Sequence, residues 1–276
     1  MSPERQSHLD LAGLTGDPDT SGPNAARMYD YYLGGSANFA VDRAAAEEQI
    51  ATLPSVATTA RANRAFLGRA VRLCLDLGVN QFLDLGSGVP TVGNVHEIAH
   101  QIDPTARIAY VDREPIAVAH ARRLLRDESR VSVTQADLTS PRTVLTAPGV
   151  TELLDFTRPI AVLAISVLHF VRDEQDPAAV LATYRDACVS GSVLALSHTT
   201  TENLAPATVD RGLAIYQRTS TPVIPRPISE APALLTGYDV LAPGPVRVTE
   251  WRPDVEPDPD SAEPVANTWA AFGILP

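Results

Sequence analysis

Gln81-Phe82-Leu83-Asp84-Leu85-Gly86-Ser87-Gly88, followed after an interval by Ile108-Ala109-Tyr110-Val111-Asp112, is the stretch that decides the fold class of this chain. The first part is an apolar, strand-like run that opens into a glycine turn. The second is another such run that closes on a carboxylate. Gly86 and Gly88 carry no Cβ, so the backbone can turn sharply at the strand end and a ligand can lie against it. A carboxylate closing the next strand, roughly 20 residues on, can accept hydrogen bonds from both hydroxyls of a ribose. A glycine turn alone marks only a turn. With the second strand and Asp112 it becomes a nucleoside-binding arrangement, and the nucleoside stays open.

Outward from this pair the chain alternates regularly. The pattern predicts strands at 81–85, 107–112, 131–136, 160–165 and 192–197, and helices at 91–102, 115–127, 176–188 and about 203–217. Continuously apolar strands separated by helices imply a mostly parallel sheet covered on both faces, a doubly wound α/β core. Its ligand site lies beyond the carboxyl ends of the strands, where Gly86, Asp112, Asp137 and Ser166 converge. After a proline-rich stretch at 222–232, segments 246–251 and 268–274 are expected to close the sheet, separated by an acidic, proline-rich turn at 253–264. Three regions follow: a mobile leader at 1–23, an N-terminal helical cap at 24–78, and a binding domain at 79–276. Within the cap, Phe66, Ala70, Leu73 and Leu77 share one face of a predicted helix.

Composition narrows the class of partner. With 276 residues, 45% of them apolar and 20% charged, the chain can bury a full core and does not read as disordered. No apolar run approaches the roughly 20 residues needed to span a bilayer. Residues 1–10 are polar rather than signal-like, so a cytoplasmic location without membrane contact is expected. A net charge of −11 disfavours a nucleic-acid partner, since that affinity comes from clustered cations. All 22 basic residues are arginine, which excludes Schiff-base and P-loop lysines. Cys74 and Cys188 sit apart in apolar surroundings and read as small buried residues.

A nicotinamide dinucleotide would want a third glycine for close helix packing, and the chain has Thr91 after Pro90 at that point. Asp112 also opposes a 2′-phosphate, with Arg113 beside it the one counter-signal. A further acid, in Ala136-Asp137-Leu138, closes the third strand instead. This three-part arrangement resembles the class I S-adenosylmethionine-dependent methyltransferases, whose Rossmann-like fold has a mostly parallel seven-stranded sheet with helices on both faces. The resemblance implies S-adenosyl-L-methionine as cofactor. It implies that Asp84, Gly86, Ser87 and Gly88 lie beside the methionine and ribose, with Asp84 near the ammonium. It assigns the ribose hydroxyls to Asp112 and the adenine amino group to Asp137 with Leu138.

The resemblance narrows at Arg27-Met28-Tyr29-Asp30-Tyr31-Tyr32-Leu33-Gly34-Gly35, Asn38-Phe39 and Asp42, Arg61-Ala62-Asn63-Arg64, Gly93-Asn94-Val95-His96-Glu97 and Val167-Leu168-His169-Phe170. These look like the actinobacterial S-adenosyl methyltransferase family once catalogued as a domain of unknown function, over essentially the whole chain after the leader. Two glycines beside three tyrosines and Asn38 suggest a flap closing over a nucleoside, which places Tyr29, Gly35 and Asn38 at the cofactor; a tyrosine-rich helix packed on the core is the plainer reading. The cofactor's carboxylate needs a cation, and Arg64 is preferred over Arg27 and Arg61. The partner implied is a small-molecule methyl acceptor; the oligomeric state is not legible.

Other constellations compete. His96-Glu97-Ile98-Ala99-His100 is a literal HExxH zinc-peptidase pattern, but it needs a third ligand and falls on the helix after the nucleoside loop. Neither Ser87 nor Ser166 lies in the nucleophile-elbow pattern of serine hydrolases. His169, after the fourth strand, is a candidate base towards the acceptor, against the plainer reading of a core histidine with satisfied hydrogen bonds. A non-catalytic nucleoside-binding regulator and, further off, an NAD(P) oxidoreductase remain as alternatives.

Overall fold

A computed structural model describes residues 21–90, 93–254 and 266–276. Thr91, most of the 1–23 leader and most of the 253–264 turn lie outside the described residues.

Three helices come first: α1 (Ala25–Tyr32), α2 (Ala40–Thr52) and α3 (Val56–Asp76). Alternation follows: β1 (Gln81–Leu85), α4 (Val95–Ile102), β2 (Arg107–Asp112), α5 (Pro115–Leu124), β3 (Val131–Gln135), α6 (Pro141–Leu145), α7 (Pro148–Thr151), β4 (Ala161–Ile165), α8 (Pro177–Asp186), β5 (Val193–Thr199) and α9 (Pro206–Tyr216). The chain closes with α10 (Ala231–Leu234), β6 (Asp239–Val240), β7 (Val246–Arg247) and β8 (Thr268–Ile274). The sheet runs β3-β2-β1-β4-β5-β8-β6, parallel from β3 to β5, with β8 antiparallel to β5. β6 and β7 both pair with β8, antiparallel. Because β5 occupies one edge of β8 along its length, β6 and β7 share the other edge. They form a seventh strand position broken by a loop.

All five residues of β1 are buried. Leu83 and Leu85 face the core beneath α6, α7, α8 and α10, while Phe82 packs in the opposite core with α3 and α4. Strict alternation of side chains puts Asp84 on the same face as Phe82, towards α3. A third cluster joins Met28 and Tyr32 of α1, Ala45 and Ala46 of α2, Ala60 of α3 and Ile215 of α9. The N-terminal helices therefore pack on the sheet through α3 and on α9 through α2.

Three expectations need correction. The helix placed at 91–102 starts only at Val95, where Asn94 and Glu97 form a reciprocal cap and Glu97 Oε2 accepts the Asn94 N–H at 2.8 Å. The strand expected at 246–251 pairs only over Val246–Arg247, because the Glu250 and Trp251 N–H groups turn back to the Arg247 carbonyl and Trp251 buries itself against Phe66 and Phe272. Leu77 is the residue after α3 and is 46% exposed, since Gly78 in the left-handed region turns the chain away before Leu77 reaches the core.

Candidate active site

Gly86 (φ 71°) and Gly88 (φ 65°) make the turn that leaves β1. The N–H groups of Gly86 and Ser87 both donate to the Val111 carbonyl, at 2.8 and 3.1 Å, so the turn is tied to the end of β2. A Cβ on Gly86 would stand 2.1 Å from Val167 Cγ2. Gly86→Ala therefore combines a left-handed conformation, costing about 1–2 kcal/mol, with an overlap worth about 1–3 kcal/mol. A thermal melt of the variant is expected to fall by on the order of 5–10 °C.

Asp112 closes β2 and organises the same loop. Its carboxylate accepts the Gly88 N–H at 2.7 Å and the Glu114 N–H at 2.8 Å. Burial pushes its pKa up from the ordinary range, and these backbone bonds, with that of Arg113, pull the other way. Asp137, just past β3, accepts from the Thr139 N–H and hydroxyl at 2.9 and 2.7 Å and meets Arg113 at 3.5 Å in a half-exposed pair. Leu138 beside it is buried, its carbonyl taking the Tyr184 hydroxyl at 2.9 Å. Ser166 ends β4 in the left-handed region (φ 51°), unusual without glycine, its N–H held by the Ser197 hydroxyl at 3.0 Å.

These residues line a cavity of about 810 Å³ that opens beyond the carboxyl ends of β1 to β5 and runs under α1, α2, α3 and α9. On its wall the Asp84 carboxyl group makes no hydrogen bond, and burial lifts its pKa to about 7, Arg64 pulling it down and Asp112 pushing it further up. Arg64 stands over the Tyr29 ring at 5.8 Å, its Nε buried without a partner. Arg27 is engaged by Asp42 (2.7 Å) and Glu114 (3.3 Å), and Arg61 reaches Thr58 away from this cavity. Of the three arginines weighed from the sequence, only Arg64 has capacity to spare there.

Tyr29 also lines the cavity, and a chain of hydrogen bonds ties it to the sheet. Asn63 Nδ2 donates to its hydroxyl at 2.9 Å, and the Ser197 hydroxyl donates to Asn63 Oδ1 at 2.6 Å. Gly35 and Asn38 are placed elsewhere, on a second pocket of about 410 Å³. They enclose Asp30: Asn38 Nδ2 donates to Asp30 Oδ2 at 2.7 Å, and a Cβ on Gly35 would lie 2.0 Å from Asp30 Oδ1. The tyrosine-rich segment is thus helix α1 packed in a core, with Gly35 after it fitted against the buried Asp30 carboxylate.

His169 sits on a 3-10 turn after β4, 8% exposed, on the cavity wall. Its Nδ1 has no partner, contrary to the satisfied core histidine of the plainer reading. Burial, His198 and Arg226 hold its pKa well below the usual histidine value, so it is neutral at physiological pH. The turn is gripped by Arg226, a residue with no sequence signal, whose guanidinium donates to the carbonyls of Leu168 (3.1 Å) and Val171 (2.9 Å). Gln49 of α2, equally silent in the sequence, reaches the cavity as well.

The HExxH pattern has other employment. His96 Nδ1 meets the Tyr110 hydroxyl at 2.8 Å, His100 Nε2 meets the Ala106 carbonyl at 3.1 Å, and Glu97 caps its own helix. Among the described residues no group of His, Cys, Asp and Glu side chains is placed to hold a metal ion.

A cavity at the switch point of a doubly wound sheet, with a glycine turn and acids closing successive strands, defines a nucleoside-binding α/β enzyme. A model of the S-adenosyl methyltransferase family matches residues 14–276, and the chain belongs to that family, whose cofactor is S-adenosyl-L-methionine. A crystal structure of a Thermobifida fusca protein with a provisional methyltransferase assignment is 35% identical, superposes with a TM-score of 0.86, and covers 93% of this chain and 96% of its own. A DUF574 family protein of Streptomyces avermitilis is also 35% identical, with a TM-score of 0.87 over 94% of this chain and 99% of its own. No curated protein matches the sequence significantly. No described helix is long and apolar enough to cross a membrane.

Proposed function

We propose that this chain transfers the methyl group of S-adenosylmethionine to a small-molecule acceptor by direct displacement. The observation that carries the reading is the continuity of one cavity, from Asp137 and Asp112 past Asp84 and Arg64 to His169 and the helical cap. The residues present fit the cofactor: Arg64 Nε is a buried donor in want of an acceptor, and Asp84 is a carboxyl in want of a cation. In this reading Arg64 grips the methionine carboxylate and Asp84 the ammonium. The turn at Gly86, Ser87 and Gly88 lies along the methionine and ribose, Asp112 takes the ribose hydroxyls, and Asp137 with Leu138 takes the adenine edge beside Arg113, while Ser166 lines the cofactor's cavity from the end of β4. Gly35 and Asn38 support the cap around Asp30 and lie outside this set.

When bound, the cofactor would supply a methyl group already activated by its sulfonium, with the proton of the acceptor's nucleophile released to solvent. What this chain adds is alignment and exclusion of water, which supply much of the rate for such a displacement. His169 Nδ1, kept unprotonated, accepts the hydrogen bond of the acceptor's nucleophile and steers its lone pair. Residues 24–78 act as the cap and 79–276 as the binding domain. The cytoplasm is the compartment where this cofactor meets such acceptors, and relatives from Thermobifida and Streptomyces support an actinobacterial origin.

The test is transfer of a labelled methyl group from S-adenosylmethionine into small molecules of a cell extract. Tight cofactor binding without any labelled product would favour the regulator instead. Arg64→Ala is expected to weaken S-adenosylmethionine and S-adenosylhomocysteine alike, by about ten- to a hundredfold in titration calorimetry, because both carry the carboxylate and a hydrogen bond to a charged group contributes about 1.5–3 kcal/mol. Unchanged affinity would remove Arg64 from the site.

A further inference from the structure

Gln49 lies on α2, is 4% exposed, and its side chain makes no hydrogen bond; its Oε1 is buried without a partner on the cavity wall. A carboxamide shut away from water and left unpaired is unfavourable unless something completes it. It stands against α9, where a Cβ on Gly212 would lie 3.1 Å from its Nε2. The chain leaving α9 continues along the same cavity through Tyr216, Thr219 and Val223, and Ile224 N–H donates to the His169 carbonyl at 2.7 Å. This wall bounds the half of the cavity away from the glycine turn.

The character of that half is uncharged. Among the described residues, the acidic ones on the cavity wall are Asp84, Asp112, Glu114 and Asp137, all on the glycine-turn side. Arg27 is paired with Asp42 and Glu114, Arg218 with Glu48, and Arg113 with Asp137, so among the described residues no unpaired cation faces the acceptor once Arg64 serves the cofactor. The rest combines rings and aliphatic groups, Tyr32 and Tyr216, whose hydroxyls satisfy each other at 3.2 Å, with Leu53, Val56 and Phe170, and neutral hydrogen-bonding side chains such as Thr59, Asn63, Thr219 and Thr221. An ionic acceptor would lose its hydration there with no counter-charge to replace it. A neutral ring compound would lose little and gain apolar contact.

We infer that the acceptor is an uncharged, ring-bearing molecule whose polar group hydrogen-bonds the Gln49 carboxamide while a nucleophilic atom faces His169. The inference rests on the methyltransferase reading for the site's purpose, yet it is tested by binding. A fragment set with equal numbers of neutral hydroxylated rings, carboxylates and amines, matched in size, is screened by ligand-observed NMR on the full chain saturated with S-adenosylhomocysteine and again without it. Neutral rings are expected to dominate the hits, to weaken about tenfold in Gln49→Leu, the loss of one hydrogen bond, and to leave S-adenosylhomocysteine affinity unchanged within about twofold. Gln49→Glu is expected to shift the preference towards amines, a gain that misfolding cannot imitate. Hits mainly among carboxylates or amines in the wild type, an absence of neutral hits, or neutral hits that bind both variants as before would each overturn it. Failure of S-adenosylhomocysteine to bind would count against the methyltransferase reading alone, since the fragments are also scored on the cofactor-free protein.

Discussion

Asp84→Asn is expected to produce a more stable protein that has lost most of its grip on S-adenosylmethionine. Asp84 occupies a strand with every residue buried, and its carboxyl group makes no hydrogen bond there. Burial raises its pKa from 3.8 to about 7, so keeping it ionised at neutral pH costs folding free energy. The sign follows from proton uptake. Between about 4 and about 7 the folded chain holds a proton at this site that the unfolded chain has released, so stability falls as pH rises through that window and the full penalty applies above it. Every tenfold difference in proton affinity between the folded and unfolded chains is worth about 1.4 kcal/mol, and with the amide of asparagine itself unpaired the net gain at pH 8 is on the order of 2 kcal/mol. Urea unfolding of both proteins should show that gain at pH 8 and near-coincident curves at pH 4. A gain that persists undiminished in acid would mean the carboxylate is not its source.

The same carboxyl sets a pH dependence on binding. Pairing an ammonium requires Asp84 ionised, so wild-type affinity is expected to be level above about pH 7 and to weaken by up to about tenfold for each pH unit below it, with proton release on binding in that range. Asp84→Asn should bind at least about tenfold more weakly at pH 8 and lack this slope. Stability is given up at the spot where the ligand's charge offsets the loss, a compromise common to binding sites.

Much of the frame was legible because parallel strands buried on both faces read as continuous apolar runs: β1, β2 and β4 appear within a residue of their observed bounds. The glycine turn was legible too, since positive φ at Gly86 and Gly88 leaves a mark in the residue type. The seventh strand was only partly so: Val246–Arg247 falls within the strand expected at 246–251, whereas the two-residue piece Asp239–Val240 is too short to show a period of two. Asn94 and Glu97 were hidden by a coincidence: the glutamate that caps α4 is also the centre of an HExxH string. In the segment Tyr29 to Asn38 the sequence marks Tyr29, which lines the cavity, but not the different place of Gly35 and Asn38, because a glycine that makes room for the buried Asp30 looks the same as one that frees a hinge. Gln49 left no trace at all. Its burial comes from the approach of α2 to α9, which are far apart in sequence.

Arg226→Met is expected to cause the largest single loss of stability and to separate methyl transfer from cofactor binding. Arg226 comes from the proline-rich segment, where an arginine reads as a surface charge, yet it is 4% exposed. Its guanidinium donates to the carbonyls of Leu168 and Val171 and to His198 Nε2 at 3.1 Å, and it pairs with Asp173 and, at 3.7 Å, with Glu230. With Nε2 accepting, the His198 proton lies on Nδ1, which donates to the Thr199 carbonyl at 2.8 Å. Methionine fills the space but leaves the Val171 carbonyl and a ring nitrogen unpaired, at about 1–3 kcal/mol each, and removes one of the two bonds at the Leu168 carbonyl, which keeps the Val171 N–H at 3.0 Å, so a loss of about 3–5 kcal/mol is expected by urea unfolding. Asp173 and Glu230 regain solvent and add little. The turn carrying His169 then keeps its internal bonds, from Phe170 N–H to the Val167 carbonyl and from Val171 N–H to the Leu168 carbonyl, and is tied to the segment after α9 through the Ile224 bond, while the glycine turn, Asp84 and Asp112 are anchored independently through Val111, Gly88 and Glu114. Cofactor affinity should therefore stay within about threefold in variant protein held at a temperature where it is folded, while labelled-methyl transfer falls by about tenfold or more. Burial is the largest cause of the lowered His198 and His169 values, and the Arg226 charge lowers both further, so both histidines should also titrate higher in the variant. Arg226→Lys separates cohesion from positioning: it restores a charge to the segment, but a single ammonium cannot reproduce the planar fork that reaches both carbonyls and the imidazole. Full recovery of transfer with lysine would show that the charge alone matters, whereas recovery of stability without transfer would place the function of Arg226 in the geometry of the His169 turn.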